Sequence, residues 1–239
     1  MTLAIASGAL ILAGCGSSGS SKSTTTASLR KVAAKNAVSS SGASGATGTA
    51  SEGCRQVPAP ASHAGERATP PSSQLDPSHT YTVTLATNCG AIAIELDVKQ
   101  APKTTSSFAS LVQRGFYNDL TFHRIVPGFV IQGGDPNGNG TGGPGYTVVE
   151  APPRNVQYTK GIVAMAKTSD EPSGSSGSQF FIVTAANAGL PPEYALVGKV
   201  VGGEAAVNAI SQVSTEGPDA EDSTPRMPIV IEKATLSSK

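Results

Sequence analysis

Between Tyr81 and Ile231 the hydrophobic pattern is broken every few residues by Gly or Pro, which leaves room for many short strands and little else. Tyr81-Thr82-Val83-Thr84-Leu85-Ala86 alternates and is rich in β-branched residues, the pattern of a half-buried strand. A turn at Asn88-Cys89-Gly90 leads into a second alternating run, Ala91 to Leu96, so the two read as a hairpin. Ile162 to Met165, Phe180 to Val183 and Ala195 to Val200 are three further short strands, and Pro228 to Ile231 reads as the closing one. Helical spacing occurs twice. Pro102 opens one helix, with Phe108, Leu111 and Val112 on one face and Gly115 just past its end. Val207 and Ile210 mark a second, short helix starting near Gly203. The pattern predicts an all-β fold with two helices, a closed antiparallel barrel.

The first third of the chain is different. From Gly16 to about Pro77, Ser, Thr, Ala, Gly and Pro dominate, and apolar residues show no period. Such a segment buries too little apolar surface to offset its ordering entropy, so residues 16–77 are expected to be a disordered tether. Residues 78–239 then form one domain of ordinary size. Ahead of the tether, Leu3 to Leu12 is an apolar run too short to span a bilayer, placed where a secretory signal sits. It ends in Leu12-Ala13-Gly14-Cys15, which looks like a bacterial lipobox and implies cleavage before Cys15 and lipid attachment to its sulfur. The expected location is therefore outside the cytoplasm, on the bacterial cell membrane, held by a lipid anchor. As a flexible coil the tether would reach roughly 45 Å from that surface. In an exported chain the other two cysteines, Cys54 and Cys89, are expected to pair as a disulfide, with two unpaired thiols as the alternative.

Charge and motif content exclude several functions. The 17 basic and 17 acidic residues cancel and form no dense basic run, which argues against nucleic acid as a partner. Gly138-Asn139-Gly140-Thr141-Gly142-Gly143 contains G-x-G-x-x-G, but a turn and strand follow it where a dinucleotide site needs a helix. Asp135 to Gly140 imitates the start of an EF-hand, yet its twelfth position is Tyr146 rather than Glu. His63, His79 and His123 are the only histidines and do not cluster, so no zinc site is expected. There is no G-x-S-x-G elbow. His123 reads as a structural side chain at a strand end.

The informative stretch is Phe122-His123-Arg124-Ile125-Val126-Pro127-Gly128-Phe129-Val130-Ile131-Gln132-Gly133-Gly134-Asp135. It resembles the signature of the cyclophilins, the peptidyl-prolyl cis-trans isomerases. Gly177-Ser178-Gln179-Phe180-Phe181-Ile182 resembles a second block of the same family, and the resemblance runs from about Tyr81 to Ile231. It implies a closed eight-stranded antiparallel barrel capped by a helix at each end. It also implies that Phe129, Val130, Phe181 and Leu190 line a proline pocket, and that Gln132 holds the substrate carbonyl and orients Arg124. Ala166 and Gln179 would border the groove. Three positions depart from the family pattern: Gly189 stands where many members have Trp, Tyr194 near where they have His, and Lys167 where a groove Asn is usual. Tyr194 can still pack on proline and offer a hydroxyl.

Arg124 has a physical reading of its own. Rotation about an Xaa-Pro bond is slow because amide resonance sets a barrier of about 18–20 kcal/mol. A catalyst need only favour the twisted amide, whose prolyl nitrogen carries a free lone pair. A fixed guanidinium can donate a hydrogen bond there. Arg124, Gln132 and Phe129 are thus the expected catalytic set. The expected function is isomerisation of Xaa-Pro bonds during folding of exported proteins, by a monomer, without cofactor or metal. The alternative is a prolyl-peptide-binding or chaperone module that uses the same pocket without turnover.

Overall fold

A computed structural model describes residues 53–217 and 223–239. The expectations for the signal segment, for Cys15 and for tether residues 16–52 lie outside the described residues. The first hairpin is β1 (Tyr81–Thr87) and β2 (Gly90–Leu96), as the alternation predicts. Helix α1 (Pro102–Gln113) follows, then β3 (Leu120–Thr121), β4 (Arg124–Val126) and β5 (Val130–Gly133). Next come β6 (Val148–Val149), β7 (Ile162–Met165), β8 (Ser175–Ser176), β9 (Phe180–Val183) and β10 (Leu196–Gly202). Helix α2 (Glu204–Ser211) and β11 (Val230–Ser238) end the chain. The closing strand is longer than its four apolar residues suggested, because it pairs with β1 along the whole of that strand, Tyr81 opposite Ser238.

The expectation of a closed eight-stranded barrel is corrected in its count and closure. One sheet holds nine strands in the order β3-β11-β1-β2-β10-β7-β9-β5-β4, and β6 pairs with β8 in a separate two-stranded sheet. The sheet curls round a single core. Its two edges, β3 and β4, are neighbours in the chain, separated only by Phe122 and His123. Among the described residues no ladder joins these edges. A backbone hydrogen bond crosses the seam instead. Gly134 donates its N–H to the Thr121 carbonyl at 3.3 Å across it, whereas Phe122 donates to Ile229 at 2.9 Å and so extends the β3–β11 pairing.

Helix α1 begins with Pro102 at a position where a backbone donor would be unsatisfied in any case, and it has no side-chain cap of its own. A distant carboxylate supplies one. Glu150 accepts the N–H groups of Lys103 at 3.1 Å and Thr104 at 2.8 Å, at the positive end of the helix dipole. Phe108, Leu111 and Val112 face the core as expected, and so do Val207 and Ile210 of α2.

The tether expectation is corrected for residues 53–77, which lie as a strap along the domain. Cys54 and Cys89 form a disulfide. Arg55 donates its N–H to Asn88 O at 2.8 Å, and Asn88 Nδ2 donates to Arg55 O at 2.7 Å. Further along, His63 N–H reaches Pro136 O (3.2 Å), Ala68 N–H reaches Pro144 O (2.8 Å) and Leu75 N–H reaches Ser106 Oγ (2.9 Å). Cys54, Ala68 and Leu75 pack against the core. Each contact is made to a loop or a helix side chain rather than to a ladder, so the strap follows no period and its sequence reads as unstructured.

The disulfide closes a loop with a sequence separation of 35, which in the chain-entropy account limits its stabilisation to about 4 kcal/mol. Replacing both cysteines, Cys54→Ser with Cys89→Ser, is expected to lower the denaturation free energy by about 2–4 kcal/mol. Equal denaturant midpoints for parent and variant would show that the strap adds nothing to the cooperative unit.

Candidate functional site

The site begins with a tight hairpin. Val126-Pro127-Gly128-Phe129 turns with Gly128 at φ 69°, a conformation that favours glycine, and Phe129 N–H closes it on Val126 O at 3.0 Å. This turn sets the register that pairs Arg124 with Gln132, Ile125 with Ile131 and Val126 with Val130. β9 continues the row, with Gln132 opposite Phe181 and Val130 opposite Val183, and β7 places Ala164 opposite Phe181.

Alternation then sorts the buried apolar side chains of these strands into two clusters. Ile125, Ile131, Val163, Met165, Phe180, Ile182 and Val197 face the core. Val130, Ala164, Phe181, Val183 and Leu196, from the same strands, form a second apolar cluster on the outer face. Phe129, Ala166, Leu190 and Tyr194 pack against that second cluster, partly exposed. The structure thus brings together all the residues expected to touch the proline. Phe181 and Tyr194 meet edge to face, with centroids 5.5 Å apart at 85°.

One member of this wall was not expected from the sequence. Tyr158 is buried, packs edge to face on Tyr194 (5.9 Å, 86°) and touches Phe181. Its hydroxyl donates to Tyr194 O at 2.6 Å and accepts from Tyr194 N–H at 3.0 Å, fixing the backbone that carries the ring. Burial pushes the Tyr158 phenol up to about 12. Tyr158 sits in Pro152-Pro153-Arg154-Asn155-Val156-Gln157-Tyr158, where no period distinguishes it from a loop residue.

A chain of polar side chains runs along the edge of the apolar wall. Arg124 Nη1 donates to Gln132 Oε1 at 3.3 Å, and Gln132 Nε2 donates to Gln179 Oε1 at 3.0 Å. Gln179 Nε2 donates in turn to the carbonyls of Gly140 and Gly142, both at 2.9 Å. Those carbonyls belong to a loop organised by Asp135. Its buried carboxylate accepts the N–H groups of Asn137 (2.8 Å), Asn139 (2.9 Å) and Gly140 (2.5 Å). Each amide therefore has its oxygen turned towards the arginine side and its nitrogen towards the loop. Burial pulls the Arg124 pKa down from its ordinary value, opposed by Tyr194, and the guanidinium remains charged.

Lys167 does not project into the groove as a free cation. Its side chain is 5% exposed, and its ammonium pairs with Glu193 at 3.3 Å. It also donates to the carbonyls of Thr168 and Glu171 and lies 5.7 Å from the Tyr194 ring centroid. Among the described residues no group of three or more His, Cys, Asp or Glu is placed to hold a metal ion.

The family model for cyclophilin-type peptidyl-prolyl cis-trans isomerase matches residues 82–236. A probable peptidyl-prolyl cis-trans isomerase A of Mycobacterium bovis is 38% identical over 179 residues, covering 67% of this chain and 94% of the relative. The human peptidyl-prolyl cis-trans isomerase-like 1 is 39% identical over 156 residues, covering 64% and 90%. Among solved structures, a cyclophilin-type isomerase of Cryptosporidium parvum superposes with a TM-score of 0.60 at 32% identity. That match covers 66% of this chain and 99% of the other, which was crystallised in the presence of the dipeptide Ala-Pro.

His123 supplies a pH dependence to the fold. It is buried, and among the described residues neither ring nitrogen has a hydrogen-bond partner. Burial is the main cause that pulls its pKa down; Arg124 adds to the effect and Asp135 opposes it. The folded state thus resists protonation more than the unfolded chain, whose histidine titrates near 6.5. Its contribution is fully present above about pH 6.5 and is lost as the pH falls through the lower, folded pKa. Denaturant unfolding from about pH 7.5 down to about pH 5 is expected to show falling stability, with a slope from this group of at most about 1.4 kcal/mol per pH unit. His123→Gln is expected to flatten that slope, and an unchanged slope would refute the assignment.

Proposed function

The chain belongs to the cyclophilin-type peptidyl-prolyl cis-trans isomerases, and on that premise we propose how its own residues turn an Xaa-Pro bond. The family membership makes it an isomerase; the roles below are our reading of the site. The proline ring of the substrate settles on the outer apolar cluster, against Phe129, Phe181, Leu190 and Tyr194, with Val130 and Ala166 beneath and beside it. Gln132 donates to the substrate carbonyl, and Gln179 borders the path of the peptide backbone.

Arg124 acts when the amide twists. In the planar ground state the prolyl nitrogen shares its lone pair with the carbonyl and is a poor acceptor. In the twisted state that lone pair is localised, and the guanidinium donates to it. The hydrogen bond is therefore much stronger in the transition state than in the ground state, the condition for raising the rate rather than merely binding. The Gln179–Gln132–Arg124 chain keeps the donor aimed, so little reorganisation is needed at the moment of rotation. No bond breaks and no proton moves, so the chemistry calls for no cofactor and no second subunit. The observation that carries this reading is the placement of Arg124, held through Gln132, at the margin of a partly exposed aromatic wall.

We further propose that the enzyme works outside the cytoplasm, lipid-anchored to the bacterial cell membrane through Cys15, on proline-containing segments of exported proteins. The Leu-Ala-Gly-Cys run after a short apolar stretch supports this, as does a disulfide of the kind that persists in oxidising compartments.

Arg124→Ala is expected to lower kcat/KM for cis-trans exchange of an Ala-Pro peptide by about 100-fold or more, the cost of one aimed transition-state donor. Peptide affinity is expected to change far less. Exchange spectroscopy on the full chain and a binding titration measure the two separately. Retained turnover in the variant would remove Arg124 from the mechanism.

A further inference from the structure

The strap begins well before residue 82, where the match to the family model starts, and it carries one charged side chain to the groove. Beside Gln132, Ala166 and Gln179 opens a cavity of about 630 Å³, and Arg67 of the strap is part of its lining. The next residue, Ala68, is tied to Pro144 O at 2.8 Å, which fixes the backbone on that side. The Arg67 side chain lies across Gly145. A Cβ added there would come within 2.6 Å of Arg67 Cδ and 3.0 Å of Nη1, and Gly145 has φ +85°, so glycine both adopts the turn and leaves the arginine its place.

The charges round the cavity are unequal in their commitments. Lys167 is engaged by Glu193, by two carbonyls and by the Tyr194 ring. Glu171 accepts the N–H of Thr168 at 2.7 Å and its hydroxyl at 3.2 Å. Glu66, beside Arg67 in sequence, pairs with His63 at 2.7 Å. Arg67 is exposed, and among the described residues no carboxylate forms a salt bridge with it. It is the cavity's uncommitted positive charge.

We propose that Arg67 gives the isomerase a preference for substrates with an acidic side chain close to the proline. The proposal rests on the isomerase reading of the groove. A peptide whose Xaa-Pro bond lies at Arg124 and Gln132 sends one arm past Gln179 over this cavity, where a carboxylate meets the Arg67 guanidinium. The discrimination is a feature of the strap, since among the described residues the other cation lining this cavity, Lys167, is already engaged.

The test uses the full chain and peptides in which a single Glu, or Gln as control, is walked through three positions on each side of the proline. Isomerisation is read by exchange spectroscopy as the Glu-to-Gln ratio of kcat/KM. At one position the ratio is expected to be about two- to fivefold, the size of an exposed ion pair, and to shrink as salt is added. Arg67→Gln, which keeps a long polar stem, is expected to bring the ratio to about one, and Arg67→Glu to push it below one. A ratio of one at every position in the parent, or a raised ratio that survives Arg67→Gln, would overturn the charge preference alone. No acceleration of any peptide would overturn the isomerase reading and this one with it.

Discussion

The antiparallel ladder β4–β5–β9 is the constraint on which the rest of the structure depends. Its register places Arg124 beside Gln132 and Gln132 beside Phe181. Because successive side chains point to opposite faces, the same ladder sends Ile125, Ile131 and Phe180 to the core. Stability and chemistry are thereby coupled through one set of backbone hydrogen bonds. A one-residue slip would turn Arg124 towards the core and carry Phe180 to the opposite face, so the core face itself enforces the geometry of the other. A three-residue edge strand can hold the Arg124 side chain in place because its inward neighbour anchors it.

The polar chain adds a second level of order. An arginine on a flexible stem has many orientations open to it. Here the guanidinium is aimed by Gln132, whose amide is oriented by Gln179, whose own amide is oriented by two carbonyls of a loop built on Asp135. Every link is a donor facing an acceptor, and the whole is partly withdrawn from water, where such bonds are stronger. Tyr158 does for the aromatic wall what Asp135 does for the amides: it grips the backbone of Tyr194 through both its N–H and its carbonyl, and so fixes the ring.

The strap shows how a segment with no core of its own can still take a defined course. Its prolines and small residues form no ladder, and it borrows acceptors from loops at Pro136 and Pro144 and from the hydroxyl of Ser106. Its disulfide lies at the β1–β2 turn and its Arg67 at the groove, so one covalent link and a few hydrogen bonds span much of the domain surface.

Much of this was legible in the sequence. The alternating runs located β1, β2, β7 and β9 nearly to the residue, Pro102 and Gly203 marked the helix starts, and the two blocks around Arg124 and Phe181 carried the resemblance to the cyclophilins. Strand period and turn chemistry are local properties, and local properties survive in a one-dimensional record. The nine-strand order, the open seam between β3 and β4, the role of Tyr158 and the course of residues 53–77 were decided only by the tertiary structure. They depend on pairings between residues far apart in the chain. A Tyr in an aperiodic loop or an Arg in a Pro-rich strap takes its meaning from the group it is folded against, and neither spacing nor composition records that partner.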